Sequence, residues 1–206
     1  MKNTLLLGTA IAMFAAFAFA FSAPASAQAK PEAKPDAKPK AAAKPAAKPQ
    51  AKSDPTEQAL LLGQFGDWGA YKASPGGKKV CFVLAKPASA VTEPAGRPRD
   101  PSYAFVSTRP AEKVKNEVSV IVGYTQKLNY EASAAVGSAN YMMYTQNDGA
   151  WVKNAAEEAQ MVDAMRKGSE LVVKSESGRG TKTTDTYTLK GMAQALEKLA
   201  ADPECK

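Results

Sequence analysis

Several short stretches of this chain hold residues whose chemistry could serve a site. Arg97 and Arg99 lie in "RPRDP", glycines and Lys182 in "SGRGTKTTDTY", Asn147 and Asp148 in "TQNDGAW", and Asp67 precedes Trp68. Two arginines in a loop can grip an anion, or stand as solvated charge. The run around Lys182 lacks the spacing of a phosphate-cradling P-loop and reads as a hairpin turn rather than a strand-to-helix turn. Asn147 and Asp148 supply too few oxygens for a calcium loop and read as a turn. Asp67 alone is a cap or a solvated charge before it is a catalyst. No Ser is followed three residues later by Lys, which removes the S-x-x-K nucleophile.

The chain has no histidine. That excludes nucleophile systems that move a proton through imidazole, zinc sites built on His and the usual switch near neutral pH. The 2 cysteines, Cys81 and Cys205, cannot make a four-thiolate zinc site. We therefore assign no catalytic, cofactor-binding or metal-binding residue and expect a non-enzymatic protein. Trp68, Trp151, Tyr71, Tyr141 and Tyr144 could form an exposed binding patch, although aromatics in strands more often fill a core.

Three segments position these residues. "MKNTLLLGTAIAMFAAFAFAFSAPASAQ" opens with Lys2, continues in an apolar run from Leu5 to Phe21 and ends in the small triplet Ala25-Ser26-Ala27. This is the plan of a secretory signal peptide, residues 1–27, with cleavage expected between Ala27 and Gln28 and no membrane span in the mature form; an uncleaved membrane anchor is the alternative. Residues 28–57 follow as a spacer with Lys-Pro pairs at Lys30, Lys34, Lys38, Lys44 and Lys48. Proline removes backbone donors and bulky apolar residues are missing, so the stretch is expected to be disordered and extended. Over 28–55, seven lysines face Glu32, Asp36 and Asp54, so most of the chain's +7 charge sits here. The globular part is close to neutral, which argues against a nucleic-acid partner. The spacer either clings to an anionic polymer or only holds the domain off a surface.

Residues 58–206 read as one domain. "DWGAYKA" and "KKVCFVLAK" suggest a hairpin, Asp67–Ala73 against Lys79–Lys86. "VTEPAGRPRDP" reads as a loop with three prolines. "SYAFVSTRP" and "EVSVIVGY" are strands, the second with Val118, Val120, Val122 and Tyr124 on one face. "EASAAVGSANYMMYTQNDGAWV" reads as one or two further strands with turns at Gly137-Ser138 and Asn147-Asp148-Gly149, and a hairpin spans "SGRG". A helix over about 154–167 is capped by Asn154 and has Ala155, Ala159, Val162 and Met165 at helical spacing. A second, over about 189–201, lines up Leu189, Met192, Leu196 and Leu199 before Pro203 stops it. The fold class is β-rich α+β, a single antiparallel sandwich or barrel-like domain with two helices. In an oxidising compartment Cys81 and Cys205 are expected to form a structural disulfide pinning the last helix. A redox pair or an intermolecular bridge is the alternative, but redox pairs sit close together in sequence.

The order of "FGDW", "KKVCFVLAKP", "RDPSYAFVSTRP", "NEVSVIVGY", "AWVKNAAEEAQMVDAMRKGSELVV", "GRGTKTTDTYTLKGMAQAL" and the final cysteine resembles the invasion-associated locus B family of α-proteobacterial envelope proteins. The likeness runs from about Phe65 to Cys205. It implies a secreted or outer-envelope protein with a β-rich fold and a role in host-cell invasion, notably of erythrocytes. It brings no catalytic residues, and only the Cys81–Cys205 pair transfers to named positions. The expectation is an exported protein of the periplasm, outer membrane or cell surface, without cofactor, acting by binding an unknown protein or an anionic envelope or host-surface polymer. The alternatives are a periplasmic structural or stress-protective factor associated with the cell wall and, more remotely, a hydrolase whose carboxylates converge only in the fold.

Overall fold

The computed structural model describes residues 54–206. The signal segment, its Ala27–Gln28 cleavage site and the spacer as far as residue 53 lie outside the described residues. The described residues form eleven strands and two helices: β1 Leu60–Phe65, β2 Trp68–Ala73, β3 Val80–Ala85, β4 Ser89–Glu93, β5 Tyr103–Arg109, β6 Val114–Ile121, β7 Glu131–Val136, β8 Ala139–Gln146, β9 Gly149–Val152, α1 Ala155–Lys167, β10 Glu170–Glu176, β11 Lys182–Thr188 and α2 Met192–Ala201.

The strands make one antiparallel sheet in the order β1-β2-β3-β5-β6-β9-β8-β7-β10-β11-β4, which is not closed. Its curvature follows from the connections. Residues 86–88 alone link β3 to β4, yet β4 is eight places away in the sheet order. A flat sheet would separate those strands by roughly 38 Å at the usual strand spacing, whereas a link of that length reaches only about 14 Å. The sheet must therefore coil until its halves face each other. Trp68 Nε1 of β2 accordingly donates to the Thr188 carbonyl of β11 at 2.8 Å. The β-rich α+β reading holds, with a single coiled sheet in place of two separate layers.

Alternation supplies the inner face. Val118, Val120 and Val122 are fully buried, as are Trp68, Val83 and Met143. The helices cover this face, α2 against β1, β2 and β3 and α1 chiefly against β6. Asn154 caps α1 by accepting from the Glu157 N–H at 2.9 Å, and Arg166 and Lys167 occupy its last turn, where the helix dipole favours cations. The buried stripe of α1 differs from the expected one. Met161, Val162 and Met165 are buried, while Ala155 and Ala159 are exposed. Alanine has too little apolar area to orient a helix against methionine. Glu158 also turns toward the sheet and accepts from the Val118 N–H at 2.7 Å. The stripe on α2 is as expected, with Leu189, Met192, Leu196 and Leu199 all buried. The helix itself begins later, at Met192, because Gly191 takes a left-handed backbone with φ 94°. Any side chain at Gly191 would meet the Phe65 carbonyl at 1.9 Å.

Two strands depart from the sequence reading. β1 falls in "LLLGQF", where the sequence predicts no element, and β4 overlaps the segment expected to be a proline loop. Both are edge strands with exposed side chains, so neither shows clean alternation. Residues 54–57, assigned to the spacer, form a turn. In it Asp54 accepts from the Thr56 amide at 3.0 Å and from its hydroxyl at 2.6 Å.

Candidate functional site

The two cysteines meet. Cys81 on β3 and Cys205, in the short turn after α2, are disulfide-bonded with Cα atoms 5.6 Å apart. Both are buried, and no free cysteine stands among the described residues. This is a structural bond: it ties the end of α2 to the sheet that α2 covers. Charge fastens the same corner. Lys72 Nζ donates to Glu204 at 2.7 Å and Lys79 Nζ donates to its other oxygen, and these bonds hold the Glu204 carboxyl down at about 2 against an ordinary 4.5. A carboxylate depressed in the fold contributes stability that is present above its ordinary value and lost as pH falls through the folded one. Glu204→Gln is thus expected to melt below wild type at pH 7, with the gap closing between about pH 4.5 and about pH 2. Thermal melts of both proteins across that range check it; a gap that persists at the acid end would contradict the assignment.

The five aromatics singled out in the sequence separate into core and surface. Trp68 and Tyr141 are buried in the inner face. Tyr71 stacks on Phe82, centroids 5.4 Å apart, in a second cluster on the outer face that includes Leu84, Tyr103 and Phe105. Tyr144 and Trp151 stack at 5.6 Å with 22° between their planes. Tyr144 is 46% exposed, and Met142, beside it on β8, is 42% exposed. One register line joins that cluster to the ring pair across the sheet, from the buried Leu84 through Phe105, the buried Ser119 and Trp151 to the exposed Tyr144. The two-residue turn Asn147–Asp148 sets its end, placing Gln146 opposite Gly149 and hence Tyr144 opposite Trp151. That signal was present in the sequence: the turn was recognised, and counting outward from it pairs the two rings.

Trp151 lies flat because Gly149 leaves room for it. A Cβ at Gly149 would stand 2.1 Å from the indole ring. Gly149→Ala is expected to lift the ring and cost about 1–3 kcal/mol as an overpacking substitution. The chain has 2 tryptophans and Trp68 is fully buried, so a red shift in emission would report Trp151. Unchanged emission and stability would contradict the packing.

The remaining motifs are structural in part. Asn147 adopts φ 54°, and its carbonyl accepts from the Gln126 N–H at 2.8 Å, so the "NDG" run is a turn. Asp67 is exposed in the turn between β1 and β2. Arg99 is not a solvated loop charge. Its Nη1 donates to Asp185 at 2.8 Å and to the Val122 carbonyl at 3.0 Å, and its Nη2 donates to the second Asp185 oxygen. Among the described residues no group of three or more His, Cys, Asp or Glu is arranged to hold a metal ion.

The family model for the invasion associated locus B protein matches residues 72–200. The chain belongs to this family. No curated protein and no solved structure matches it. The invasion associated locus B match runs from the end of β2 to the last turn of α2. It contains Cys81, Tyr144, Trp151 and the three arginines 97, 99 and 179, while Trp68 and Cys205 lie beyond it. Among the described residues no helix is long and apolar enough to cross a membrane.

Proposed function

We propose that this invasion associated locus B protein is an exported, non-enzymatic envelope protein that acts by binding through the surface around Tyr144 and Trp151. The stacked pair, with Tyr144 46% exposed and Trp151 partly buried against it, carries the reading. Large rings already fixed in place offer contact area and lose little freedom on binding, which is why aromatics concentrate at interfaces. Membership of an envelope-associated family and the signal-like first segment support export. The partner is a protein or an anionic polymer of the envelope or of a host surface. The test is co-sedimentation of the purified protein with envelope fragments and with host cells, beside a Met142→Ser, Tyr144→Ser variant. Wild type should sediment with one of them, and the variant should lose at least about tenfold in affinity, the size of a modest hot spot. Equal sedimentation of both proteins would sink the reading. Trypsin treatment of intact cells, followed with an antibody to residues 58–206, then decides on which side of the outer membrane the domain lies.

One observation favours the alternative, a periplasmic factor on the cell wall. A concavity of about 670 Å³ beside the disulfide has Leu196 and Leu199 in its floor and Lys113, Lys115, Arg166 and Lys206 around it. Such a rim suits an anionic wall polymer. Peptidoglycan binding that washes off with salt and disappears in Lys113→Glu, Lys115→Glu would support this reading over the first.

A further inference from the structure

Two motifs that appear unconnected in the sequence share one cleft. Pairing of β4 with β11 sets Thr92 opposite Thr183 and brings the loop after β4 to the tip of the β10–β11 hairpin. Between them lies a cavity of about 600 Å³ whose lining includes Arg97, Arg99, Tyr124, Ser177, Arg179 and Thr181. No carboxylate lines it. Asp185 engages Arg99, so that charge is already matched. Arg97 and Arg179 are exposed, and neither makes an ion pair among the described residues.

The loops carrying these two arginines are held by hydroxyls of the same cleft. Thr92 Oγ1 accepts from the Arg97 N–H at 3.2 Å. Ser177 Oγ accepts from the amides of Arg179 at 3.3 Å and Thr181 at 3.0 Å. The hairpin tip is itself fastened to the neighbouring loop, because the Gly178 N–H donates to the Thr125 carbonyl at 3.1 Å and Gln126 bridges Ser177. Guanidinium groups are planar donors matched to the oxygens of phosphate and sulfate, and bind them in bidentate fashion. Anchored backbones on both sides reduce the ordering that such binding requires. The volume exceeds what a bare oxyanion fills, and a wall that sets Pro98 and Tyr124 beside the hydroxyls of Thr92, Ser177 and Thr181 suits the mixed apolar and polar faces of a sugar ring.

We propose that this cleft binds a sugar bearing a phosphate or sulfate group, with Arg97 and Arg179 gripping the oxyanion and the Thr and Ser hydroxyls facing the sugar. None of its lining residues belongs to the Tyr144–Trp151 surface, so either site can fail without the other.

Titration calorimetry of the full chain with glucose 6-phosphate, glucose 6-sulfate, glucose and inorganic phosphate tests it. Saturable binding of a charged sugar is expected, at least tenfold tighter than glucose. Arg97→Gln, Arg179→Gln should weaken it by tenfold or more, as expected for two charge-assisted bonds, while the lysine-rich spacer stays intact as an internal control. Gly178→Trp gives a second, steric arm. Its backbone is not left-handed, and a Cβ there would meet only the carbonyls of Thr125 and Gln126 at 3.8 and 3.9 Å, so the position accepts a side chain, and the indole is expected to occupy the cleft that Gly178 lines. Loss of binding with an unchanged melting temperature is the expected result. The proposal is overturned if neither charged sugar saturates, if glucose binds equally well, or if the arginine double variant binds like wild type. Vesicles bearing a phosphorylated glucosamine lipid distinguish the sources: binding competed by glucose 6-phosphate identifies a lipid headgroup, and binding of the soluble sugar alone identifies a free one. Both uphold the site.

Discussion

Replacing Cys205 by Ser is expected to lower the stability of the domain by about 5 kcal/mol in the limit where the disulfide acts only on the entropy of the unfolded chain. The closed loop sets that size, since the bonded residues are 124 apart. The loss should appear as a lower denaturant midpoint, and reducing agent added to wild type should reproduce it. Cys81→Ala with Cys205→Ala should fall to a similar midpoint, because the entropic contribution is common to every variant lacking the bond. Protection should fall most in α2 and the turn after it, which the bond fastens to β3. The helix buries Met192, Ala195, Leu196 and Leu199, so it is expected to stay docked in the folded fraction and fray from its end. A midpoint change worth less than about 1 kcal/mol would mean that residual structure already restrains the unfolded chain without the bond.

Asp185→Ala is expected to cost about 3–5 kcal/mol, the range for removing one partner of a buried ion pair. The Asp185 side chain is 1% exposed and that of Arg99 11%. The pair is forked, and Arg99 also donates to a backbone carbonyl, so the guanidinium is held on several sides. Removing the carboxylate strands that cation in a poorly solvated place. The cost arises from the orphaned charge and not from the worth of the pair, and a second variant separates the two. Arg99→Met with Asp185→Leu should recover most of the loss, because exchanging a buried pair for apolar side chains is often neutral. Urea midpoints of wild type and the two variants decide this. A double variant as unstable as Asp185→Ala would show that the pair organises the loop after β4 as well as neutralising itself.

How much of this was legible in the sequence depended on whether the signal was local. Val118, Val120 and Val122 recur at every second position and all are buried, as the sequence predicts, because one buried face imposes period two on the chain. Asn154 was recognised as a cap for the same reason: the bond it makes is to a residue three places on. The stripe of α1 was misread where alanine counted as much as methionine. β4 was partly missed because its pairing partner lies about ninety residues later and its Val91 is 50% exposed. The cleft was out of reach altogether. "RPR" and "SGRG" are each bland alone, and only the β4–β11 register makes them neighbours. The surface stack was within reach, since a two-residue turn determines which rings face each other.

The position of Cys205 has a consequence for how the chain matures. Every one of the eleven described strands precedes it in chain order. The bond therefore cannot close before every described strand has been synthesised. With 2 cysteines in the chain there is a single intramolecular pairing, so no scrambled isomer exists for an isomerase to correct. The only covalent error open to it lies between two chains. Non-reducing electrophoresis would thus give a two-state readout of assembly: a compact monomer band for the finished domain, and a dimer band for chains that met each other before β3 met the end of α2.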